Sequence, residues 1–130
     1  MKILFLDVDG VMNCAKTFQK DIHGNFPIDS YMAFLVGKIV LETDCKVVLS
    51  SSWKHHKDSA DYIHKRIVSL YDVTPDVGRV RGDEIKAWLD NSKYKVDRYA
   101  ILDDNSDMLP EQMSNFFKTQ WEVGITDEIA

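Results

Sequence analysis

Two carboxylates stand close together near the start of the chain, directly after an apolar segment. Asp7 and Asp9 follow residues 2–6, and Gly10 comes next. In an extended strand the side chains of residues i and i+2 lie on the same face, so the two carboxylates could converge on one point. Like charges this close oppose each other's ionisation unless a cation lies between them. The pair is therefore either part of a cation site or the acidic turn of a strand that ends at Gly10, where glycine permits a positive φ.

Two later apolar segments also lead into polar side chains. Residues 46–50 end in Ser50, and residues 99–102 are followed by Asp103 and Asp104. If these segments are parallel strands, their carboxyl ends meet at one edge of a sheet, which is where such sheets bind ligands. Four carboxylates at one edge cannot all be buried unpaired, and a hard cation with oxygen ligands, such as Mg²⁺, would resolve the conflict.

The same edge could hold a phosphoryl group. Ser50 supplies a hydroxyl, and either Arg81 or Lys86 could supply a positive charge. Aspartate is a known covalent acceptor of phosphate, so one carboxylate could attack phosphorus. Its neighbour two residues on could protonate the leaving oxygen and then activate water. The residue types and their order therefore favour phosphoryl chemistry over a plain acidic turn.

Strand-like and helix-like segments alternate along the chain. Helical spacing predicts helices over 30–42, from 59 to about 71, from 83 onward and after Pro110. Short apolar runs predict two further strands, at 72–74 and 119–123. This alternation predicts an α/β fold with a mostly parallel sheet. Residues 12–29 lack sustained periodicity and form either a flap over the mouth of the site or a plain connection.

The composition is that of a globular protein, with 45% hydrophobic and 28% charged residues, and 130 residues suffice for a single domain over 1–130. A net charge of −5 argues against a protein that coats nucleic acid without specificity. Cys14 and Cys45 are too few and too isolated for a zinc site or a disulfide framework, which predicts reduced thiols in a cytoplasmic protein. Neither a signal peptide nor a segment of transmembrane length is apparent, so no membrane partner is expected.

The polar strand ends resemble the motifs of the haloacid dehalogenase-like (HAD) phosphohydrolases. Residues 7–11 resemble the first motif, residues 47–50 the second and residues 101–104 the acidic fourth. The chain is closer still to the small HAD domains of Swiss Army Knife RNA repair proteins, which it resembles over residues 50–54, 81–89, 103–108 and 124–126. Each motif is weak alone, but the set spans nearly the whole chain in the right order. The resemblance implies a three-layer, doubly wound, Rossmann-like sheet of five strands, and the short interval between the first two motifs leaves no room for a large cap domain.

The resemblance also implies a role for each matched position. Asp7 would be the nucleophile and a ligand of Mg²⁺. Asp9 would be the general acid and base, and it would also offer its backbone carbonyl to the metal. Ser50 would bind the transferring phosphoryl group, and Asp103 with Asp104 would hold the Mg²⁺.

The third-motif cation is either Arg81 or Lys86. A lysine is usual in the superfamily, whereas Arg81 lies where this branch tends to carry a basic residue. Arg81 is favoured because a guanidinium grips phosphate bidentately and because the positive end of the following helix's dipole points the same way. Lys86, on the helix beyond, is the second candidate.

The residues around the motifs have several possible roles. Ser51 and Lys54 are candidate substrate contacts, and Lys54 fits a solvated loop equally well. Large aromatic side chains dominate core burial, which predicts core positions for Trp53 and Trp88 rather than stacking on nucleic-acid bases. Asp107 is predicted to cap a helix in preference to serving as a further metal neighbour.

These residues predict a Mg²⁺-dependent phosphatase that acts through an aspartyl-phosphate. An open site suits a bulky phosphorylated substrate such as a nucleic-acid end, and a nucleotide or small phosphoester is the alternative. The competing hypothesis is a non-catalytic receiver-like or interaction module with a HAD-like fold. A receiver domain would place its phospho-accepting aspartate after a middle strand, where this chain has Ser50, so the enzyme is the favoured hypothesis.

Overall fold

Five strands form one parallel sheet in the computed structural model, which describes residues 1–13, 28–55, 57–76, 80–93, 95–119 and 124–125. The strands are β1 (Lys2–Leu6), β2 (Lys46–Leu49), β3 (Leu70–Val73), β4 (Arg98–Asp103) and β5 (Phe116–Lys118). They lie in the order β3-β2-β1-β4-β5, and each neighbouring pair is parallel. The predicted five-stranded α/β sheet is therefore confirmed. The strand order reverses beside β1, so the crevice at the carboxyl ends of β1 and β4 is where a ligand is expected.

Three α-helices belong to the described residues: α1 (Ser30–Thr43), α2 (Lys57–Tyr62) and α3 (Arg81–Asp90). A π-helical turn, Ile63–Ile67, continues α2, and short 3₁₀ turns cover Ser52–His55 and Pro110–Asn115. Helix α1 begins where it was predicted, because Asp29 Oδ1 accepts hydrogen bonds from two backbone N–H groups of the first turn at 2.9 and 3.0 Å.

The central strands β1 and β2 are buried on both faces, as the continuous apolar run of β1 predicts. Leu4 and Leu6 pack into one core cluster with Val36 of α1, whereas Ile3 and Phe5 pack into a second cluster that contains Ile85 and Trp88 of α3. Alternate residues of a strand point to opposite faces, so β1 supplies both clusters. The result is the predicted three-layer, Rossmann-like arrangement, and the described part of the chain contains no cap domain.

The two edge strands differ from their predicted bounds. The structure has Leu70–Val73 in place of 72–74, and β5 covers Phe116–Lys118, ahead of the predicted 119–123, of which only residue 119 is described and lies outside a strand. The sequence places Leu70 and Tyr71 in the preceding helix because they continue its apolar spacing. Both edge strands are largely exposed, so they lack the continuous apolar run that reveals a buried strand.

Several predictions lie partly outside the described residues. The flap predicted over residues 12–29 falls mostly on residues 14–27, which the structure does not describe, and the end of the predicted last strand falls on residues 120–123. A single domain over 1–130 and the flap both stay predictions. Of the described helices, none has the length and hydrophobicity needed to cross a membrane.

Candidate active site

The strand ladders carry polar residues to one edge of the sheet. The backbone N–H of Asp7 donates to the carbonyl of Leu102 at 3.0 Å, and that of Ser50 donates to the carbonyl of Leu6 at 2.9 Å. Asp103 is the last residue of β4. The pairing of β1 with its two neighbours thus continues past the end of β1, and it brings Asp7, Ser50 and Asp103 to the same edge.

Three carboxylates meet at this edge. Asp7, Asp103 and Asp104 each offer one oxygen, and these oxygens lie within 4.8 Å of one another. Asp7 and Asp103 are buried, at 5% and 1% exposure, and Asp104 is half-buried. Carboxylate oxygens at this spacing suit a hard divalent cation.

Gly10 allows the loop after β1 to lie against Asp104. Its φ is +82°, and a Cβ at this position would lie 2.2 Å from Asp104 Oδ2. The carbonyl of Gly10 accepts a hydrogen bond from Thr119 Oγ1 at 2.6 Å, and the N–H of Thr119 donates to the carbonyl of Asp103 at 2.9 Å. Thr119 therefore ties the loop after β1 to the end of β4.

Arg81, the first residue of α3, contacts two of the carboxylates. Its Nη1 donates to Asp7 Oδ1 at 3.3 Å and to Asp103 Oδ2 at 3.1 Å. Its backbone N–H donates to Asp107 Oδ2, and the N–H of Gly82 donates to the carbonyl of Asp107, both at 3.0 Å. Asp107 thus caps α3, as predicted. This cap comes from a distant part of the chain, and α3 begins earlier than its own sequence predicts.

Lys86 lies elsewhere on the same helix. Its Nζ pairs with Asp90 Oδ2 at 2.6 Å, and its side chain is 53% exposed. Residues in an α-helix are about 100° apart, so Lys86 is about 140° around α3 from Arg81. The structure therefore brings Arg81 to the carboxylates and leaves Lys86 on an exposed face.

Asp7 and Asp103 both have a raised pKa. Burial, followed by the charge of Asp7, raises the pKa of Asp103 above its ordinary 3.8, and Arg81 opposes this. Burial likewise raises the pKa of Asp7, with Arg81 again acting in the opposite direction. Among the described residues, the guanidinium of Arg81 is shared by Asp7 and Asp103, so a bound cation would stabilise the charged forms of these two carboxyls.

The two serines after β2 have different surroundings. The hydroxyl of Ser50 is buried and has no hydrogen-bond partner among the described residues. Leaving such a group unpaired costs free energy, so this hydroxyl suits a ligand oxygen. Ser51 Oγ accepts from the backbone N–H of Trp53 at 3.2 Å and so stabilises the following 3₁₀ turn. A substrate contact by Ser51 stays a prediction.

The carboxylate of Asp9 lies outside the three-carboxylate group. Its Oδ1 accepts hydrogen bonds from Asn13 Nδ2 and from Trp53 Nε1, both at 3.0 Å. The i, i+2 spacing predicts that the carboxylates of Asp7 and Asp9 converge, but β1 ends at Leu6. Strand alternation therefore does not extend to Asp9, and its carboxylate does not join that of Asp7. A metal contact through the backbone carbonyl of Asp9 stays a prediction.

Lys54 is buried in a set of polar contacts. Its Nζ lies 3.0 Å from Glu84 Oε1, 2.9 Å from Thr74 Oγ1 and 3.6 Å from Asp76 Oδ1, and its side chain is 5% exposed. Glu84 Oε1 is also 3.9 Å from Arg81 Nε. Lys54 is therefore not the solvated loop residue that was one of its two interpretations, and a contact with substrate stays a prediction.

Sequence reasoning missed three polar contacts of the site. Trp53 is 1% exposed, which confirms its core position, but its indole N–H also reaches Asp9. Asn13 bridges the same carboxylate and the backbone N–H of Gly10, 2.9 Å away. A short amide side chain just after a glycine turn is a recognisable local signal for Asn13. Thr119 contacts Gly10 across 109 positions of the chain, and no local pattern reveals it.

Comparison with known families decides the assignment of this arrangement. The family described as HAD domain in Swiss Army Knife RNA repair proteins matches residues 3–130, which include all the described helices and strands apart from Lys2, the first residue of β1. The chain belongs to this family. The predicted resemblance is confirmed, and membership in a HAD family indicates phosphohydrolase chemistry. The chain has no significant match among curated proteins or among solved structures.

The HAD domain thus carries the polar residues of its motifs at the ends of successive strands. Asp7 follows β1, Ser50 follows β2 and Asp103 closes β4, while Arg81 reaches the group from the start of α3. Three carboxylates, a hydroxyl and a guanidinium are therefore gathered at one edge of one sheet. This arrangement can bind a divalent cation together with a phosphoryl group.

Proposed function

We propose that this HAD domain is a Mg²⁺-dependent phosphatase that hydrolyses phosphomonoesters through a phosphoryl group carried on Asp7. The observation that carries the proposal is the excess of buried negative charge at the end of β1. Asp7 and Asp103 are nearly inaccessible and share one guanidinium, that of Arg81. Such an arrangement is costly in a protein that binds nothing there.

The residues present fit a magnesium ion. Asp7, Asp103 and Asp104 would hold it, and the backbone carbonyl of Asp9 would be a further ligand. Mg²⁺ prefers a few carboxylates and leaves positions for water and phosphate oxygens. When bound, the ion would neutralise the carboxylates and the phosphate oxygens, so that one anion could attack another.

The chain's own residues account for both steps of the reaction. An oxygen of Asp7 forms a bond to phosphorus while the bond from phosphorus to the leaving oxygen breaks, and Asp9 gives its proton to that oxygen. A water molecule then gives a proton to Asp9 and attacks phosphorus, the bond to Asp7 breaks, and inorganic phosphate leaves. Arg81 and the unpartnered hydroxyl of Ser50 would bind the phosphoryl oxygens throughout.

The substrate class we propose is the phosphorylated end of a nucleic acid, with a nucleotide as the alternative. The family description refers to RNA repair proteins, and the described residues include no cap domain that would enclose a small substrate. Cytoplasmic location stays part of this proposal, and the half-buried free thiol of Cys45 is compatible with it.

The test is hydrolysis of a generic aryl phosphate with Mg²⁺, measured for the wild type, Asp7→Asn and Asp9→Asn. Replacing the nucleophile should lower kcat by at least about a thousandfold, and a chelator should abolish wild-type turnover. Equal turnover by the wild type and Asp7→Asn would exclude the covalent step. Oligonucleotides phosphorylated at either end, compared with mononucleotides by kcat/KM, then decide the substrate class.

A further inference from the structure

The carboxylate of Asp9 is held by two N–H groups that end on the same oxygen. Asn13 Nδ2 and Trp53 Nε1 both lie 3.0 Å from Oδ1. Both groups are donors, so the carboxylate must accept from them, and neither can take a proton from it. Within the part of the chain that the structure describes, Oδ2 is therefore the oxygen of Asp9 that is left to exchange a proton with a substrate.

Trp53 has little freedom to move away from this contact. Its side chain is 1% exposed and belongs to the core cluster that also contains Leu6 and Leu49. The backbone of Trp53 lies in the 3₁₀ turn Ser52–His55 after β2, and the backbone N–H of Trp53 donates to Ser51 Oγ. The indole N–H therefore has a position that the sheet fixes, whereas Asp9 sits on a loop beside Gly10, whose φ is +82°.

We propose that Trp53 is a positioning residue that orients Asp9 for proton transfer to the leaving oxygen, an assignment that rests on the proposed phosphatase activity. General acid catalysis requires the proton to lie within hydrogen-bond reach of the atom that receives it. A carboxylate on a loop can rotate away from that geometry, and a hydrogen bond from a buried, rigid ring prevents the rotation. The second bond, from Asn13, fixes the same oxygen from within the loop.

This role has a consequence that a merely structural role lacks. Protonation matters most when the leaving group is a poor one, such as an alkoxide, and least when it is an activated phenolate that leaves as an anion. Loss of the indole N–H should therefore slow the hydrolysis of an alkyl phosphate much more than that of a p-nitrophenyl phosphate. The value of kcat/KM isolates this difference, because it covers events only up to the first irreversible step.

Trp88 offers a matched control within the same chain. It is 7% exposed, and its Nε1 donates to a carboxylate oxygen of Asp72 at 2.8 Å. The bond has the same chemistry as the one from Trp53 to Asp9, but it lies between α3 and the edge strand β3. Trp88→Phe therefore removes a comparable ring and a comparable hydrogen bond without touching Asp9.

The experiment compares the wild type, Trp53→Phe and Trp88→Phe on an alkyl phosphate and on p-nitrophenyl phosphate with Mg²⁺. Trp53→Phe should lose about tenfold or more in kcat/KM on the alkyl phosphate and only a few-fold on the aryl phosphate. Trp88→Phe should show the same ratio between the two substrates as the wild type. The Mg²⁺ concentration for half-maximal activity should be unchanged in both variants.

Several outcomes would overturn the assignment. An equal loss on both substrates, no loss, or a gain in Trp53→Phe would show that Trp53 does not position the acid. If Trp53→Phe fails to fold, replacement of the indole by benzothiophene keeps the ring and removes only the N–H. Absence of wild-type turnover on either substrate would instead overturn the proposed function, which is a distinguishable result.

Discussion

The two halves of the sheet's carboxyl edge differ in how their acidic side chains are paired. Beyond β1 and β4, the carboxylates of Asp7, Asp103 and Asp104 gather around the guanidinium of Arg81. Beyond β2 and β3, Lys54 lies 3.0 Å from Glu84 and 3.6 Å from Asp76. His55 lies 2.7 Å from the same Asp76. Among the described residues, the first half has more acidic than basic side chains, and it is called the unbalanced half below. The second half pairs its acidic side chains with basic ones, and it is called the paired half.

This difference in pairing indicates that the unbalanced half is suited to binding a ligand, whereas the paired half holds the structure around it. A group of buried charges that is paired within the protein keeps its geometry without any ligand, whereas an unbalanced group needs an outside cation to remain ionised. Glu84 joins the two halves, since its Oε1 lies 3.0 Å from Lys54 Nζ and 3.9 Å from Arg81 Nε. A residue of the paired half therefore helps to hold the guanidinium that contacts the carboxylates of the unbalanced half.

The largest expected effect comes from removing one acid of the unbalanced half. Asp103→Asn should lower kcat/KM by at least about a thousandfold, since metal stabilisation of transition-state charge is worth several kcal/mol. We expect Mg²⁺ to raise the Tm of the wild type, and Asp103→Asn should abolish this rise because the proposed site loses a ligand. Thermal unfolding with and without Mg²⁺ measures this, and an unchanged Mg²⁺-dependent rise would contradict it.

The same substitution should stabilise the metal-free protein in a pH-dependent way. Burial raises the pKa of Asp103 in the folded protein above its ordinary 3.8. The folded chain then binds more protons than the unfolded one in the window above 3.8, so metal-free stability falls as pH rises through that window. Urea unfolding in chelator should show Asp103→Asn gaining stability over the wild type as pH rises. A constant or shrinking difference would contradict the account.

Gly10→Ala should damage the unbalanced half through its backbone. The added Cβ would lie 2.2 Å from Asp104 Oδ2, and alanine tolerates a φ of +82° poorly. We expect a loss of about 1–3 kcal/mol in the free energy of unfolding and weaker Mg²⁺ binding. Gly37→Ala in α1 is the control: a Cβ there meets nothing within 4 Å, and alanine favours the helix. Wild-type Mg²⁺ affinity in Gly10→Ala would show that Asp104 is not a ligand.

Lys54→Met should unbalance the paired half. It leaves the carboxylate of Glu84, 14% exposed, without its closest cation, and breaking such a pair costs about 3 kcal/mol of stability. Adding Glu84→Gln to the same chain should restore more than half of that loss, because the uncompensated charge disappears. Urea unfolding of the two variants measures the recovery, and the lack of any recovery would contradict the pairing. A raised KM in the restabilised double variant would favour the predicted contact between Lys54 and substrate.

Lys86→Met should have the smallest effect. The side chain is 53% exposed and pairs with Asp90, which is 60% exposed, so kcat/KM should stay within about twofold of the wild type. Arg81→Met, by contrast, should lose at least about a hundredfold, because a guanidinium contact with the phosphoryl group is lost. Steady-state kinetics of both variants decide between the two candidates. An inactive Lys86→Met beside an active Arg81→Met would reverse the assignment.

The sequence predicts the central strands and the residues that follow them well. Residues 2–6 and 46–49 are strands buried on both faces, and such strands carry continuous apolar runs that are visible in one dimension. The positions of Asp7, Ser50 and Asp103 at one edge then follow from parallel pairing alone. The edge strands are less predictable, because half-exposed residues such as Tyr71 and Phe117 fit a helix or a strand equally well.

Contacts between distant segments account for most of what the sequence does not reveal. The start of α3 depends on Asp107, which follows it by a full strand, and the loop at Gly10 depends on Thr119. Trp53 shows the limit most clearly, since a buried tryptophan is recognisable from its apolar surroundings but the partner of its N–H is not. Lys54 and Glu84 are likewise 30 residues apart, and neither residue alone indicates a pair.

The most direct test of the account is to trap the phosphoryl group on Asp7. Asp9→Asn keeps the nucleophile and lacks the base that activates water. An activated aryl phosphate should therefore transfer its phosphoryl group to Asp7, and hydrolysis should remove that group only slowly. Acid-quenched protein, digested and analysed by mass spectrometry, should carry one phosphoryl group on the peptide that contains Asp7, and the variant with both Asp7→Asn and Asp9→Asn should carry none. Wild-type turnover with Mg²⁺, together with an unmodified peptide at every quench time in Asp9→Asn, would contradict a phosphatase that works through Asp7.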